Sequence, residues 1–252
     1  MGTSVAVKRI AEASPRSLAR LAGFLYVLII LGSLFIPMAV PKPSGMMRPD
    51  VALPTADQIL ASKSRYVFGG IAQLAIGACD ICVALIFYQL LKPVSHSLAL
   101  LAAFFRLVFV AIANVNVLNQ YAPLVLLSRT EYRTAFKPDQ LQALASVFLR
   151  LRTIGFDIAL VFFGFHCVLV GYLLFKSTFF PRILGTLLAI GGVGYLANIF
   201  APVIPLAMRP HLFPYVMLPA GIAEGLLTLW LMIVGVNASK WKVQASTAGM
   251  LT

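Results

Sequence analysis

The sequence predicts an all-α fold, a polytopic membrane helix bundle with six transmembrane helices. Three observations predict it. Of the 252 residues, 60% are hydrophobic and 11% are charged, and the mean hydropathy is +0.93, whereas a soluble domain carries about 25% charged residues. The apolar residues form segments long enough to cross a bilayer as helices. Of the 20 Lys and Arg, all but Arg106 lie in loops, tails or helix ends, where they reach lipid headgroups.

The first predicted span runs from about Leu18 to Met38. Ser14 and Pro15 suit the N-cap and the first turn of a helix, and a cluster of prolines follows the segment. The basic residues before the span resemble the start of a signal peptide, but the residues around Met38 make a poor small-x-small cleavage site. We therefore predict an uncleaved anchor.

The second and third spans are predicted to be antiparallel neighbours. After the proline-rich loop 41–54, Thr55 and Gln58 fit a capping box, and the helix that begins there can continue into span two and end near residue 91. Lys92 and Pro93 follow and make a tight turn. Span three covers about residues 97–127, which is long enough to tilt or to protrude from the bilayer.

Spans four to six occupy the second half of the chain. Residues 140–152 place apolar side chains on one face at helical spacing, so they form either an interfacial helix or an extension of span four. The predicted spans cover about residues 154–175, 183–204 and 215–236. The domain organisation is an N-terminal segment, 1–17, a transmembrane domain, 18–236, and a polar tail, 237–252.

Basic residues orient the predicted bundle. Lys8, Arg9, Arg16 and Arg20 precede the first helix, which usually dominates the positive-inside rule. With six spans, both termini then lie in the cytoplasm. The net charge of +12 is attributed to attraction for anionic lipid headgroups. No phosphate loop, RNA motif or zinc finger is visible in the sequence, and we expect no nucleic-acid partner.

Three cysteines, Cys79, Cys82 and Cys167, all lie in hydrophobic segments and indicate no disulfide framework. The first two form a CxxC pair, but within an apolar helix such residues are more often small packing groups than a redox couple.

Four hydrophobic strings are ARLAGFLYVLIILG (19–32), SHSLALLAAFFRL (95–107), GFHCVLVGYLLFKSTFFPRILG (164–185) and GGVGYLANIF (191–200). These strings resemble a bacterial family of integral membrane proteins catalogued as domain of unknown function 4386. The resemblance covers about residues 19–236 and rests on hydrophobic strings with polar punctuation rather than on a catalytic signature. It implies a six-helix bacterial inner-membrane protein, and it carries over no activity and no catalytic residue.

Four ionisable residues interrupt the apolar spans at nearly one depth: Asp80, Arg106, His166 and Glu224. At 1.5 Å per helical residue, they lie roughly 14–18 Å from the predicted cytoplasmic ends. A charge at the bilayer centre costs roughly 2.5–3.5 kcal/mol, so each needs a partner. Asp80 and Arg106, on consecutive spans, are expected to form an ion pair. That pair either locks the bundle or opens for a substrate or proton; the remaining alternative is exposure to a water-filled cavity.

Glu224 and His166 each allow two interpretations. Glu224 is flanked by Gly221 and Gly225, which are expected to let a neighbouring helix approach closely. It is either a neutral side chain hydrogen-bonded across helices or a proton acceptor in a coupled transporter. His166 is either hydrogen-bonded to a neighbouring helix or a ligand, but no second histidine reaches its depth and zinc sites need about three ligands. We therefore predict no metal and no cofactor.

A second polar layer is predicted nearer the outer surface. Asp157 is nine residues from His166 and therefore faces the opposite side of the same helix. It is expected to meet Asn116 or Asn119, with Asn198 somewhat deeper. These side chains form either an inter-helical hydrogen-bond network or a polar vestibule.

The leading functional hypothesis is a protein that binds a small or lipidic molecule in a polar intramembrane cavity, with transport as its purpose. One alternative is an intramembrane enzyme that uses His166 with a carboxylate, which requires the two groups to lie within about 3.2 Å, or one water, of each other. The other is a structural or regulatory membrane protein, which requires paired groups and no cavity.

Overall fold

The computed structural model describes residues 14–39, 56–198, 200 and 209–249, and the regular elements among them are all helical. The predicted all-α class is confirmed. The loop 41–54, the capping residue Thr55 and most of the predicted end of span five lie outside the described residues. The helices are α1 (Pro15–Ala39), α2 (Ala56–Ala61), α3 (Lys63–Leu91), α4 (His96–Val115), α5 (Val117–Ser128), α6 (Thr130–Ala135), α7 (Pro138–Lys176), α8 (Arg182–Ala197), α9 (Arg209–Ile233) and α10 (Ala238–Thr247).

Within the described residues, four helical segments are long and apolar enough to cross a membrane. A fifth is added if α9 and α10, bent by 100° where they meet, count as one span. α8, with 16 residues, is shorter. The predicted count of six spans is therefore not confirmed, but several long apolar helices indicate a multi-pass membrane protein. The four segments are Pro15–Phe35, Lys63–Leu91, His96–Ser128 and Pro138–Lys176.

Local signals in the sequence account for several helix ends. The Ser14 hydroxyl accepts a hydrogen bond from the backbone N–H of Ser17 (3.2 Å), as expected for a cap at the start of α1. Residues 140–152 belong to the 39-residue α7, which decides between the two alternatives in favour of an extension of span four. The predicted third span is interrupted at Asn116, between α4 and α5.

The polar tail contains a helix, α10, which the sequence analysis did not predict. Gly235 adopts a positive φ of 74° after the end of α9, a conformation that glycine adopts without steric cost. The chain then turns back, and Trp241 Nε1 donates to the backbone carbonyl of Leu90 (2.9 Å). The side-chain oxygen Oε1 of Gln244 accepts from the backbone N–H of Thr178 (3.0 Å). α10 thus packs over the turns that join α3 to α4 and α7 to α8.

Six of the helices make contacts in a closed circle: α1, α3, α4, α7, α8 and α9, with the last returning to α1. We call this arrangement the helix ring. The ring's N-terminal end is where α1 begins and where the turns 92–95 and 177–181 lie; the opposite end is its far end. Most of the buried apolar core lies toward the N-terminal end, for example Val83, Phe87, Leu90, Ala99, Cys167, Leu173, Leu184, Leu227 and Leu231.

Glycines bring helices of the ring together, but not at the predicted positions. A Cβ added at Gly23 of α1 would lie 2.6 Å from the backbone nitrogen of Met232, and one at Gly191 of α8 would lie 2.7 Å from the Cα of Ala220. At Gly221 and Gly225, no described atom lies within 4 Å of an added Cβ. Among the described residues, no helix makes the close approach expected at these two glycines.

Candidate functional site

Arg106 of α4 is fully buried in the helix ring. Its Nη2 donates to Asp80 Oδ1 of α3 at 2.5 Å, and its Nε donates to the same oxygen at 3.0 Å. Asp80 is 4% exposed. The two residues predicted to pair are therefore an ion pair. Because both bonds end on Oδ1, the second carboxylate oxygen of Asp80 takes no part in this pair.

The other terminal nitrogen of Arg106 contacts two further helices. Nη1 donates to the hydroxyl of Tyr26 in α1 (2.5 Å) and lies 3.1 Å from His166 Nε2 in α7. His166 Nδ1 lies 2.8 Å from the backbone carbonyl of Ala102. A carbonyl only accepts, so Nδ1 carries the hydrogen and Nε2 accepts from Arg106; this tautomer follows from the hydrogen-bond network. His166 thus helps hold the guanidinium, and no carboxylate among the described residues bonds to it.

Aromatic faces enclose the charge of Arg106. Its Cζ lies 4.8 Å from the centroid of the Tyr26 ring and 5.5 Å from that of Phe163. Phe163 also stacks on His166, with ring centroids 5.7 Å apart. A cation over an aromatic face is stabilised by the ring quadrupole, and more so where water is excluded. The Asp80 carboxylate and the rings of Tyr26 and Phe163 thus stabilise the buried charge of Arg106.

Glu224 does not join the Arg106 cluster by a hydrogen bond. Its Oε1 accepts from the hydroxyl of Tyr195 in α8 at 2.5 Å. The Tyr195 ring meets the Phe163 ring edge to face, with centroids 5.4 Å apart. The four predicted residues therefore form two neighbouring groups: Arg106 with Asp80 and His166, and Glu224 with Tyr195.

A cavity of about 510 Å³ lies directly beside these groups. Asp80, Arg106 and Glu224 line it, whereas His166 does not. The cavity extends from these groups toward the far end of the ring. On each helix of the ring, no lining residue lies nearer the N-terminal end than these groups do. We call the lining residues nearest the N-terminal end of the ring the floor, one from each of its six helices. They are Tyr26, Asp80, Arg106, Phe163, Tyr195 and Glu224.

The cavity is elongated along the helices. On α7 its lining runs from Phe163 back to Arg152, eleven residues, which is roughly 16 Å at the helical rise. The wall between these levels is mainly apolar. It includes Ile29, Ile30, Ile76, Ala113, Phe156 and Leu160.

The predicted second layer lies along the outer part of the cavity. Asn198 Nδ2 donates to Asp157 Oδ1 at 3.2 Å. Asn119 Nδ2 donates to Asn116 Oδ1 (2.8 Å), and Asn116 Nδ2 donates to the backbone carbonyl of Arg152 (2.6 Å). Asn116, Asp157 and Asn198 line the cavity and Asn119 does not. These side chains thus form hydrogen bonds between helices, and three of them also form part of the cavity wall.

Arg152 is a second arginine in the cavity wall. Its Nε donates to Gln120 Oε1 at 3.1 Å, and Gln120 Nε2 donates to the backbone carbonyl of Tyr66 at 2.7 Å. Gln120 is fully buried. None of the described carboxylates forms an ion pair with Arg152.

The profile of the family described as Domain of unknown function (DUF4386) matches residues 21–235. The chain belongs to this family. An uncharacterised protein of Archaeoglobus fulgidus is 28% identical to this DUF4386 protein over 162 residues, which are 64% of the chain and 80% of the relative. No solved structure matches the chain. The matched range contains all the floor residues and the outer polar wall.

Tyr26, Phe163, Tyr195, Gln120 and Arg152 were not among the predicted site residues of this DUF4386 protein. The aromatic residues carry no formal charge, and the hydropathy of a span does not distinguish a tyrosine facing a cavity from one at the membrane interface. Arg152 is among the basic residues that the sequence places in loops, tails or helix ends. Its place within a continuous helix, seven residues or two turns after Ala145, was the available signal that it faces inward.

The CxxC pair lies away from this site. Cys82 is exposed on the outside of α3 and Cys79 is partly buried, and neither lines the cavity. Within the described part of the chain, no three His, Cys, Asp or Glu side chains come together in a geometry that could hold a metal ion.

Proposed function

We propose that this DUF4386 protein binds a small or lipidic molecule in the cavity above the floor and moves it across the bacterial cytoplasmic membrane, with both termini in the cytoplasm. One observation carries the proposal. An elongated, mainly apolar cavity ends at a buried polar floor to which six helices contribute. Ionisable residues within a membrane are costly, and they commonly mark substrate or ion pathways.

The size and lining of the cavity suit a ligand. Its volume of about 510 Å³ is within the range of roughly 300–1,000 Å³ that is common for small-molecule sites. Such sites combine apolar walls with a few convergent polar groups, and Arg106, Asp80 and Glu224 are the polar groups at this floor. A purely structural protein has no need of the space between them.

The two floor groups have different proposed roles. Asp80 neutralises Arg106, so their pair can hold a polar group of the ligand through the unused Asp80 oxygen, or open when the ligand competes for Arg106. Glu224 has a hydroxyl partner rather than a cation. It can gain or lose a proton without breaking an ion pair, and we assign it the role of proton carrier.

Movement of the ligand requires the floor to open. Below the floor, toward the N-terminal end, the ring is filled by large buried side chains such as Phe87, Leu173 and Leu227. Alternating access therefore needs a rearrangement in which helices separate below Arg106 and close above it. The two polar groups at the boundary between cavity and apolar core are placed to couple that rearrangement to ligand and proton.

The enzyme hypothesis has less support. It needs His166 beside a carboxylate that faces the cavity. Instead, one ring nitrogen of His166 bonds to Arg106 and the other to a backbone carbonyl. Both nitrogens are thus engaged in holding the floor, and the residue lies behind it.

The proposal is tested by native mass spectrometry of the protein released from nanodiscs. Leu160→Trp fills the cavity, and Ile158→Trp on the exposed side of the same helix is the matched control. We expect a discrete bound mass in the wild type and in Ile158→Trp and its loss in Leu160→Trp. A mass retained by both variants places the ligand elsewhere, and absence of any bound mass from the wild type counts against the binding function.

A further inference from the structure

We propose that the outer end of the cavity recognises the anionic group, a carboxylate or a phosphate, of an amphiphilic ligand through Arg152. This inference rests on the proposed function and specifies its ligand class. It assigns the charge of the ligand to Arg152 rather than to Arg106 at the floor.

The two arginines of the cavity differ in their partners. Arg106 is neutralised by Asp80 at 2.5 Å. Arg152 is bonded through Nε to a neutral amide, Gln120, and no acceptor among the described residues receives a hydrogen bond from its Nη1 or Nη2. A guanidinium forms its strongest bonds with carboxylates and phosphates, often through two parallel N–H groups. Among the described residues, Arg152 therefore has no ion-pair partner, and its terminal donors have no acceptor at the cavity wall.

The side chain of Arg152 is also held in place. Gln120, itself fully buried, accepts from Nε and donates to the backbone of α3. The backbone carbonyl of Arg152 accepts from Asn116. A positioned guanidinium loses less conformational entropy when it binds an anion than a free surface arginine does.

The depth of Arg152 matches that of a headgroup. It lies eleven residues before Phe163, the floor residue of α7, which is roughly 16 Å at the helical rise. If the floor lies near the centre of a hydrocarbon layer about 30 Å thick, Arg152 is at the level of the lipid headgroups. An amphiphile that enters from this level can leave its anionic group on Arg152 and place its apolar body along Ile29, Ile76 and Leu160, toward the floor.

The charges that line the cavity favour this arrangement. Its carboxylates each have another described partner: Arg106 for Asp80, Tyr195 for Glu224 and Asn198 for Asp157. At the floor, an incoming anion would meet two carboxylates. At Arg152 it meets a cation flanked by the amides of Gln120 and Asn116, with one carboxylate in the same wall, Asp157, which accepts a hydrogen bond from Asn198.

The test uses the full-length protein in phosphatidylcholine nanodiscs and measures the apparent Kd of each probe by native mass spectrometry. The probes are dodecanoate, dodecyl phosphate, uncharged dodecanol and inorganic phosphate. The variants are Arg152→Gln, Arg152→Lys and, as the matched control, Arg150→Gln, because Arg150 is exposed on the same helix. Leu160→Trp defines the binding that occurs outside the cavity.

We expect both anionic amphiphiles to bind the wild type about tenfold or more tightly than dodecanol, the size of effect typical of a hydrogen bond to a charged group. Arg152→Gln should abolish this preference and leave dodecanol binding unchanged. Arg152→Lys should keep part of it and Arg150→Gln all of it. Since lysine retains the charge, the comparison remains informative if the glutamine variant folds poorly.

Other outcomes overturn the inference in distinguishable ways. Equal apparent Kd values for dodecanoate and dodecanol mean that the cavity binds amphiphiles without distinguishing their charge. The proposed function then stands and the anion site at Arg152 does not. Equal losses in Arg152→Gln and Arg150→Gln indicate general attraction to surface charge. Inorganic phosphate that binds as tightly as dodecyl phosphate identifies a free anion site. If the wild type binds no probe more tightly than Leu160→Trp does, alkyl anions are not the ligand class. The proposed function is then decided by the native mass spectrometry search for a bound mass.

Discussion

His166 accepts a hydrogen bond from Arg106, with His166 Nε2 and Arg106 Nη1 3.1 Å apart. The histidine can accept because its Nδ1 donates to the Ala102 carbonyl. A residue that the sequence offers as a ligand or an acid–base group is thus a neutral support for a buried cation. The four hydrogen-bonding contacts of the guanidinium, two with Asp80, one with Tyr26 and one with His166, connect four helices.

Loss of the His166 acceptor should destabilise the floor. His166→Phe leaves an Nη1 donor of Arg106 buried without an acceptor, at a cost of about 1–3 kcal/mol. His166→Gln can offer both an acceptor and a donor, so we expect a smaller loss. Thermal unfolding in detergent measures both. Equal losses in the two variants would mean that packing of the ring, rather than the hydrogen bond, holds the site.

The Asp80–Arg106 pair should be strongly coupled. Removing one partner of a buried ion pair costs about 3–5 kcal/mol because the other charge is left uncompensated. Asp80→Asn should therefore lower thermal stability far more than Asp139→Asn, whose carboxylate is exposed on α7.

The coupling is measured by a double-mutant cycle. Arg106→Ala should be partly rescued by Asp80→Ala, because the second change removes the charge that the first leaves unpaired. Additive effects of the two changes would contradict the interpretation that each mainly serves to neutralise the other.

Glu224→Gln should remove proton coupling and spare folding. The amide keeps a carbonyl oxygen that accepts from Tyr195, so the packing of α8 against α9 is preserved. The measurement is ligand-driven proton uptake in proteoliposomes, made with the molecule identified by its bound mass. Glu131→Gln, at an exposed carboxylate, is the control. Full proton uptake by Glu224→Gln would reassign the proton carrier.

The glycine contacts of the ring predict opposite effects at two positions. Gly191→Ala places a methyl group 2.7 Å from the Cα of Ala220, so we expect a loss of about 1–3 kcal/mol from overpacking. Gly221→Ala meets no described atom within 4 Å and should gain up to about 1 kcal/mol from helix propensity. Thermal unfolding of the two variants tests this contrast, and equal stabilities would contradict the packing of α8 on α9.

The tight turn after residue 91 explains why Asp80 and Arg106 could be paired from the sequence. Consecutive antiparallel helices usually pack, so two charges at one depth had few other partners. The same reasoning could not assign Glu224 to Tyr195, because a tyrosine carries no formal charge that would mark it as a partner. Nor could the sequence show whether residues 140–176 form one helix or two, because apolar residues recur at helical spacing from residues 140–152 into span four.

The sequence by itself determined the all-α class, the long apolar helices, the family and the four ionisable residues at nearly one depth. These follow from local composition and helical rise, which depend on neighbours along the chain. Only the tertiary structure decided that His166 supports Arg106, that Tyr26 and Tyr195 complete the floor, and that Arg152 faces the cavity with no ion pair to a described carboxylate. Those facts depend on the rotation of each helix about its axis and on which helices meet, and inter-helix packing sets both.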